Sequence, residues 1–162
     1  MQSPYNFVFD NITNTYNFTT KNSILYRIAF VVDHTFSTIA EVEIPNIYQI
    51  VIDKATDETE PLDAGVSITI ETIIEQFFAN IENALVYICS DENEKSKLRF
   101  NVFNRWYEKS KFRNKIVKID NEIKLNEGQI LYTSFLFHKS NPNYKTLIEV
   151  YYKIEEVLNS DK

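Results

Sequence analysis

One cysteine, Cys89, stands in the 162 residues of the chain. It leaves no second thiol for an intramolecular disulfide, and it excludes metal sites assembled from several cysteines. Histidine is almost as scarce. His34 and His138 are far apart and lack ligand spacing, so no metal site is expected. Apolar runs are short as well, none approaching the roughly 20 residues of a membrane helix. The opening "MQSPYNFVFD" has no basic segment leading into a long apolar one, so no secretory signal is read there. A cytoplasmic location without a membrane partner is the expectation. Repeats, low-complexity tracts and linkers are missing too, and residues 1–162 read as one domain.

What is abundant is aromatic and apolar. The hydrophobic fraction is 44% and the aromatic fraction 14%, which is too much for a disordered chain. Charge is unevenly placed. Residues 1–94 hold 3 basic and 15 acidic groups, net −12. Residues 95–118 hold 9 and 1, net +8, and residues 119–162 hold 5 and 7, net −2. The total of −6 disfavours nonspecific nucleic-acid binding, while the basic stretch can still serve an anion.

The first third alternates at period two. Tyr5, Phe7 and Phe9 lead through the turn "NITN" into Tyr16 and Phe18, a hairpin pattern. Ile24, Tyr26, Ile28, Phe30 and Val32 share one face of a longer strand. "STIAEVEI" and "IYQIVID" are read as two further strands, separated near Pro45. The period then changes. Ile70, Ile73, Ile74, Phe77, Phe78, Ile81 and Ala84 recur at three and four, an amphipathic helix with Ser67 as N-cap. "LVYIC" is a short apolar run suited to a central strand. A helix over about residues 93–110 follows, with Ser90 or Asp91 as its cap. "KIVKI" and "QILYTSFLF" read as strands joined through the Asn126–Gly128 turn. Asn141-Pro142 opens a last helix with Tyr144, Leu147, Ile148, Tyr151 and Leu158 as its buried stripe. The expected fold is α+β, a mostly antiparallel sheet with three helices, in the order four or five strands, helix, strand, helix, two strands, helix.

The segment "FNRWYEKSKFR", residues 103–113, carries most of the chemical interest. At 100° per residue, Phe100, Phe103 and Tyr107 fall on one helical face and Leu98, Val102 and Trp106 on another. Basic residues lie between. The plain reading is a helix buried on one side whose basic stems cover apolar surface. The sharper reading is an interaction surface of Arg99, Arg105, Trp106, Lys109, Lys111 and Arg113. Its partner would be a protein, including a second copy of this chain, with nucleic acid ranked below. Cys89 reads as a buried, inert thiol. The acidic loop at residues 53–63 lacks the glycine and spacing of a calcium-binding loop.

Two resemblances follow from these residues. From residue 47 to residue 137 the element order is similar to the second half of GCN5-related N-acetyltransferases. "WYEKSKF", residues 106–112, resembles the family's Leu-Tyr-Glu-Lys-x-Gly-Phe, with Lys111 in place of the glycine. "LDAGVS", residues 62–67, resembles part of its phosphate-binding turn. The likeness implies acetyl-coenzyme A as cofactor, held at Gly65, Val66 and Ser67, and Tyr107 as general acid. The chain also resembles, over nearly its whole length, an uncharacterised domain-of-unknown-function family of Bacteroidota (family 6169). "YNFVFD", "TEPLD", "VYICS", "RWY", "SKF" and "FHKSNPNY" carry that likeness, which implies a bacterial source and no known activity. The function expected first is therefore a non-catalytic interaction or ligand-binding domain, without a cofactor, on a degenerate acetyltransferase-like scaffold. An acyl-coenzyme A-dependent N-acyltransferase comes second, and anion or nucleic-acid binding through residues 95–118 third.

Overall fold

A computed structural model describes residues 2–59, 61–89, 95–124 and 126–160. The α+β expectation holds. Among the described residues seven strands form one sheet: β1 (Val8–Asp10), β2 (Thr15–Thr19), β3 (Leu25–Val32), β4 (Ile47–Lys54), β5 (Ala84–Cys89), β6 (Ile116–Lys124) and β7 (Ile130–His138). Their spatial order is β1-β2-β3-β4-β5-β7-β6, antiparallel throughout except between β4 and β5. Four helices accompany them: α1 (Thr35–Ala40), α2 (Ala64–Phe77), α3 (Ser96–Lys109) and α4 (Tyr144–Ser160). None of these is long and apolar enough to cross a membrane.

The helices sit on both faces. On one, Ile70, Ile73 and Ile74 of α2 and Phe103 of α3 pack on Phe18, Tyr26, Ile28, Ile50, Leu85 and Leu136. Burying each of those isoleucines contributes about 1.5–3 kcal/mol. On the other face, Phe36 of α1 and Leu147, Val150 and Tyr151 of α4 cover Val86, Phe135 and Phe137. β5 lies between these layers. Leu85 turns to one side and Ala84 and Val86 to the other, which is why "LVYIC" is continuously apolar.

Four local expectations are corrected. "STIAEVEI" is not a strand. Its first half lies in α1, and Glu41, at φ 58°, ends that helix. Asp33 starts the turn by accepting the Thr35 amide, and Phe36 gains burial against Phe135, with ring centroids 4.6 Å apart. Tertiary packing there overrides the strand preference of β-branched residues. α1 is thus the fourth helix, where three were expected. Second, Asp63, and not Ser67, caps α2. Third, α2 ends at Phe77. Ile81 lies beyond it and is exposed, and Ala84 already belongs to β5. Fourth, in α4 Tyr144 is exposed, while Val150 and Ile154 join the stripe. Ser90, Asp91 and the Leu158 side chain lie outside the described residues.

Candidate functional site

β4 and β5 run parallel and pair over three positions only, Ile47 with Ala84, Tyr48 with Leu85 and Gln49 with Val86. Beyond these they part. β4 stays paired with β3 as far as Lys54, and β5 stays paired with β7 as far as Cys89. Each strand follows its antiparallel neighbour, because that ladder is longer and the twist of each half-sheet accumulates away from the other. A gap opens between Ile50–Ile52 and Tyr87–Cys89. It is the kind of place, at the carboxyl ends of parallel strands, where open sheets take ligands.

The gap forms a cleft of about 220 Å³. Ile50 and Ile52 line it from β4, Tyr87 and Cys89 from β5, and Arg99 from α3. Tyr87 is fixed by stacking on Phe103 at 4.0 Å between centroids. Burial pushes the Cys89 thiol up, against the opposing pull of Tyr87 and Arg99. Burial likewise pushes the Tyr87 hydroxyl up, with Cys89 adding to it. Both groups therefore stay protonated at neutral pH. Cys89 is a buried thiol, as expected, with no thiolate character to make it a nucleophile.

Gly65, Val66 and Ser67 form the first turn of α2. Asp63 stands at its N-terminus and accepts from the Gly65 amide at 2.8 Å, the Tyr5 hydroxyl at 2.5 Å and the Gln2 amide at 2.8 Å. Tyr5 is anchored again through its own amide, which donates to the Thr69 hydroxyl. The N-terminal segment thus straps the start of α2, and the chain's own carboxylate stands where the helix dipole favours an anion. Gly65 is what permits the close approach, since a Cβ there would lie 2.8 Å from the Tyr5 ring. Val66 is buried in the core, and the Ser67 hydroxyl donates to the Ala64 carbonyl. The cap rule applied at residue 63 would have found Asp63; its partners, Tyr5 and Gln2, are about sixty residues away and leave no local signal.

Tyr107 does not line the gap. Its hydroxyl donates to the backbone carbonyls of Ile116 at 2.9 Å and Arg113 at 3.3 Å, which ties the end of α3 to β6. Burial, then Glu108, pushes this hydroxyl up. Tyr107→Phe is expected to cost about 1 kcal/mol in urea unfolding. A cost near zero would mean that water replaces these bonds without loss.

The basic residues separate into three places. Arg99 reaches the gap. Arg105, Trp106 and Lys109 line a groove of about 400 Å³ against Leu62, Val66 and Ser67. This groove covers part of the second apolar face of α3, while Leu98 remains exposed. The Lys111 amide donates to Glu71, and Arg113 pairs with Glu108, both at the surface. An exposed pair of this kind contributes little to stability. No group of three or more His, Cys, Asp or Glu among the described residues is placed to hold a metal ion.

A model of a family of unknown function (DUF6169) matches residues 62–153, more than half of the chain, and the chain belongs to that family. The match runs from just before α2 into α4, so it is shorter than the near-complete likeness read from the sequence, and "YNFVFD" falls outside it. No curated protein and no solved structure matches the chain.

Proposed function

We propose that the chain is a non-catalytic ligand-binding domain on a degenerate acetyltransferase-like scaffold, and that its ligand enters the gap between β4 and β5. The observation that carries this reading is the parting of two parallel strands after three paired residues. Among the described residues neither Ile50–Ile52 nor Tyr87–Cys89 has a register partner on the facing strand, and backbone groups turned into such a gap need hydrogen-bond partners. A slender ligand with amide groups of its own would supply them. A binding role without turnover is supported by the protonated Cys89 thiol and by the engagement of Tyr107 with backbone carbonyls.

The acyl-coenzyme A reading is kept second, because a gap of this kind can admit an extended thioester arm. Five acids among residues 53–63, with Asp63 itself on the α2 N-terminus, oppose the phosphates of that cofactor. The protein-partner reading keeps the groove beside Trp106, where Leu62 is exposed. Self-association there would appear in light scattering.

Pantetheine, which has two amides and no phosphate, separates these readings. On titration into the full chain, it should shift the amide resonances of Ile50–Ile52 and Tyr87–Cys89. Silence at about millimolar concentration, the weak limit for so small a ligand, removes the gap as a binding site. Binding of acetyl-coenzyme A with transfer to an amine would displace the non-catalytic reading in favour of the second.

A further inference from the structure

The opposite face of the sheet holds a second cleft, of about 240 Å³, between α1 and α4. Its floor and walls are apolar: Val86 and Ile88 of β5, Leu131 and Phe135 of β7, and Ile154 of α4. A dry cavity of roughly 150 Å³ holds benzene, so this one has room for an aromatic ring and a short chain.

Among the described residues that line it, the charged groups have one sign. Asp33 and Glu155 bring carboxylates, and no lysine or arginine is among the lining residues. Asp33 is 5% exposed. Its partners are neutral: the Thr35 amide at 3.1 Å, the Thr35 hydroxyl at 3.2 Å and the Gln49 side-chain amide at 2.8 Å. Among the described residues neither carboxylate has an ion-pair partner. Buried charge is ordinarily matched by an opposite one. A buried carboxylate held by neutral donors beside an apolar hollow leaves that matching to a ligand.

We propose that this cleft binds a small organic cation, an apolar body of about ten non-hydrogen atoms with one ammonium group. The body fills the space over Val86, Ile88 and Phe135, and the ammonium donates to the carboxylates of Asp33 and Glu155. Ile88 lines both this cleft and the gap between β4 and β5, but Asp33, Glu155, Leu131 and Ile154 line this one and not the gap, and the proposal does not depend on the gap being occupied.

The test uses the full chain and three probes of nearly one shape: phenethylamine, phenethyl alcohol and 3-phenylpropionate. Methyl resonances of Val86, Ile88, Leu131 and Ile154 should move on titration with the amine. For a ligand of this size the dissociation constant should be about millimolar. The alcohol should bind roughly ten-fold or more weakly, the difference a charge-assisted bond makes, and the propionate should not bind. Glu155→Gln should weaken the amine and leave the alcohol unchanged. Asp33→Asn should do the same; because Asp33 also accepts the Thr35 amide just before α1 and the Gln49 side-chain amide, a failure of that variant to fold leaves the decision to Glu155→Gln. Ile88→Trp, which fills the cleft, should abolish both. No methyl shifts with the amine, equal binding of amine and alcohol, or an amine affinity unchanged by Glu155→Gln would each overturn the proposal.

Discussion

Phe137→Ala should destabilise the folded chain by about 3–5 kcal/mol, the cost of a phenyl ring removed from a site that cannot collapse. Phe137 is fully buried at the centre of the second core layer. It pairs with Ala84 on one side and Val117 on the other. Its ring lies 5.1 Å from that of Phe135 and 5.3 Å from that of Tyr144. The alanine already opposite it on β5 has only a methyl, with no rotamer to swing into the vacancy, and β7 is held by ladders on both edges. A domain has about 5–15 kcal/mol of stability in all, so the loss is a large fraction. It should appear as a lower urea midpoint with an unchanged slope. Leu62→Ala, at a fully exposed position, is the control and should stay within about 0.5 kcal/mol. Similar losses for the two variants would mean that Phe137 is not packed as described.

Asp63→Ala is the second large effect, at about 2–4 kcal/mol. A helix cap contributes about 1 kcal/mol and a hydrogen bond to a charged group about 1.5–3. Asp63 makes both kinds, to the Gly65 amide and to the Tyr5 hydroxyl. The same contacts set a pH dependence. The Tyr5 hydroxyl, then the Gly65 amide, Lys21 and Gln2, hold the Asp63 carboxyl below its ordinary 3.8, against an opposing effect of burial. A carboxyl depressed on folding stabilises the native state above its unfolded value. That contribution is fully present near neutral pH and is lost as pH falls below about 4, through the folded value. Wild type should therefore lose more stability between pH 5 and pH 3 than Asp63→Asn does, by urea unfolding at each pH. Parallel curves would show that Asp63 is not held by these donors. Tyr5→Phe should lose part of its own cost in the Asp63→Ala background, since the two share one hydrogen bond.

Much of the architecture was legible in advance, and the reason lies in particular residues. Phe18, Tyr26 and Ile28 bury the face that period two assigns them, and Ile70, Ile73 and Ile74 bury the stripe that period 3.6 assigns them. Asn141 stands just ahead of α4, which begins at Tyr144 after a turn through Pro142 and Asn143, and its side-chain oxygen accepts from the Asn143 amide. The errors fall where local preference is weak against packing. Residues 37–44 suit a strand by composition, yet Phe36 and Ile44 gain more by capping the second core cluster around a short helix. The apolar spacing of α2 continues past Phe77 through Ile81 to Ala84, while the chain itself turns after Phe77, with the Asn83 side-chain amide donating to the Phe77 carbonyl.

For the site the division is sharper. The sequence by itself determined the two-faced α3, the buried character of Cys89, the local excess of basic charge and the antiparallel character of most of the sheet. Each of these follows from residues near one another in the chain. Only the tertiary structure decided that Tyr5 meets Asp63, that β4 and β5 part after Gln49 and Val86, and that Asp33 and Glu155 line one cleft. Those facts depend on pairs separated by about sixty, forty and one hundred and twenty residues. Periodicity reports which way a side chain faces along its own element. Which element it faces is settled by strand register and by competition for burial across the whole sheet.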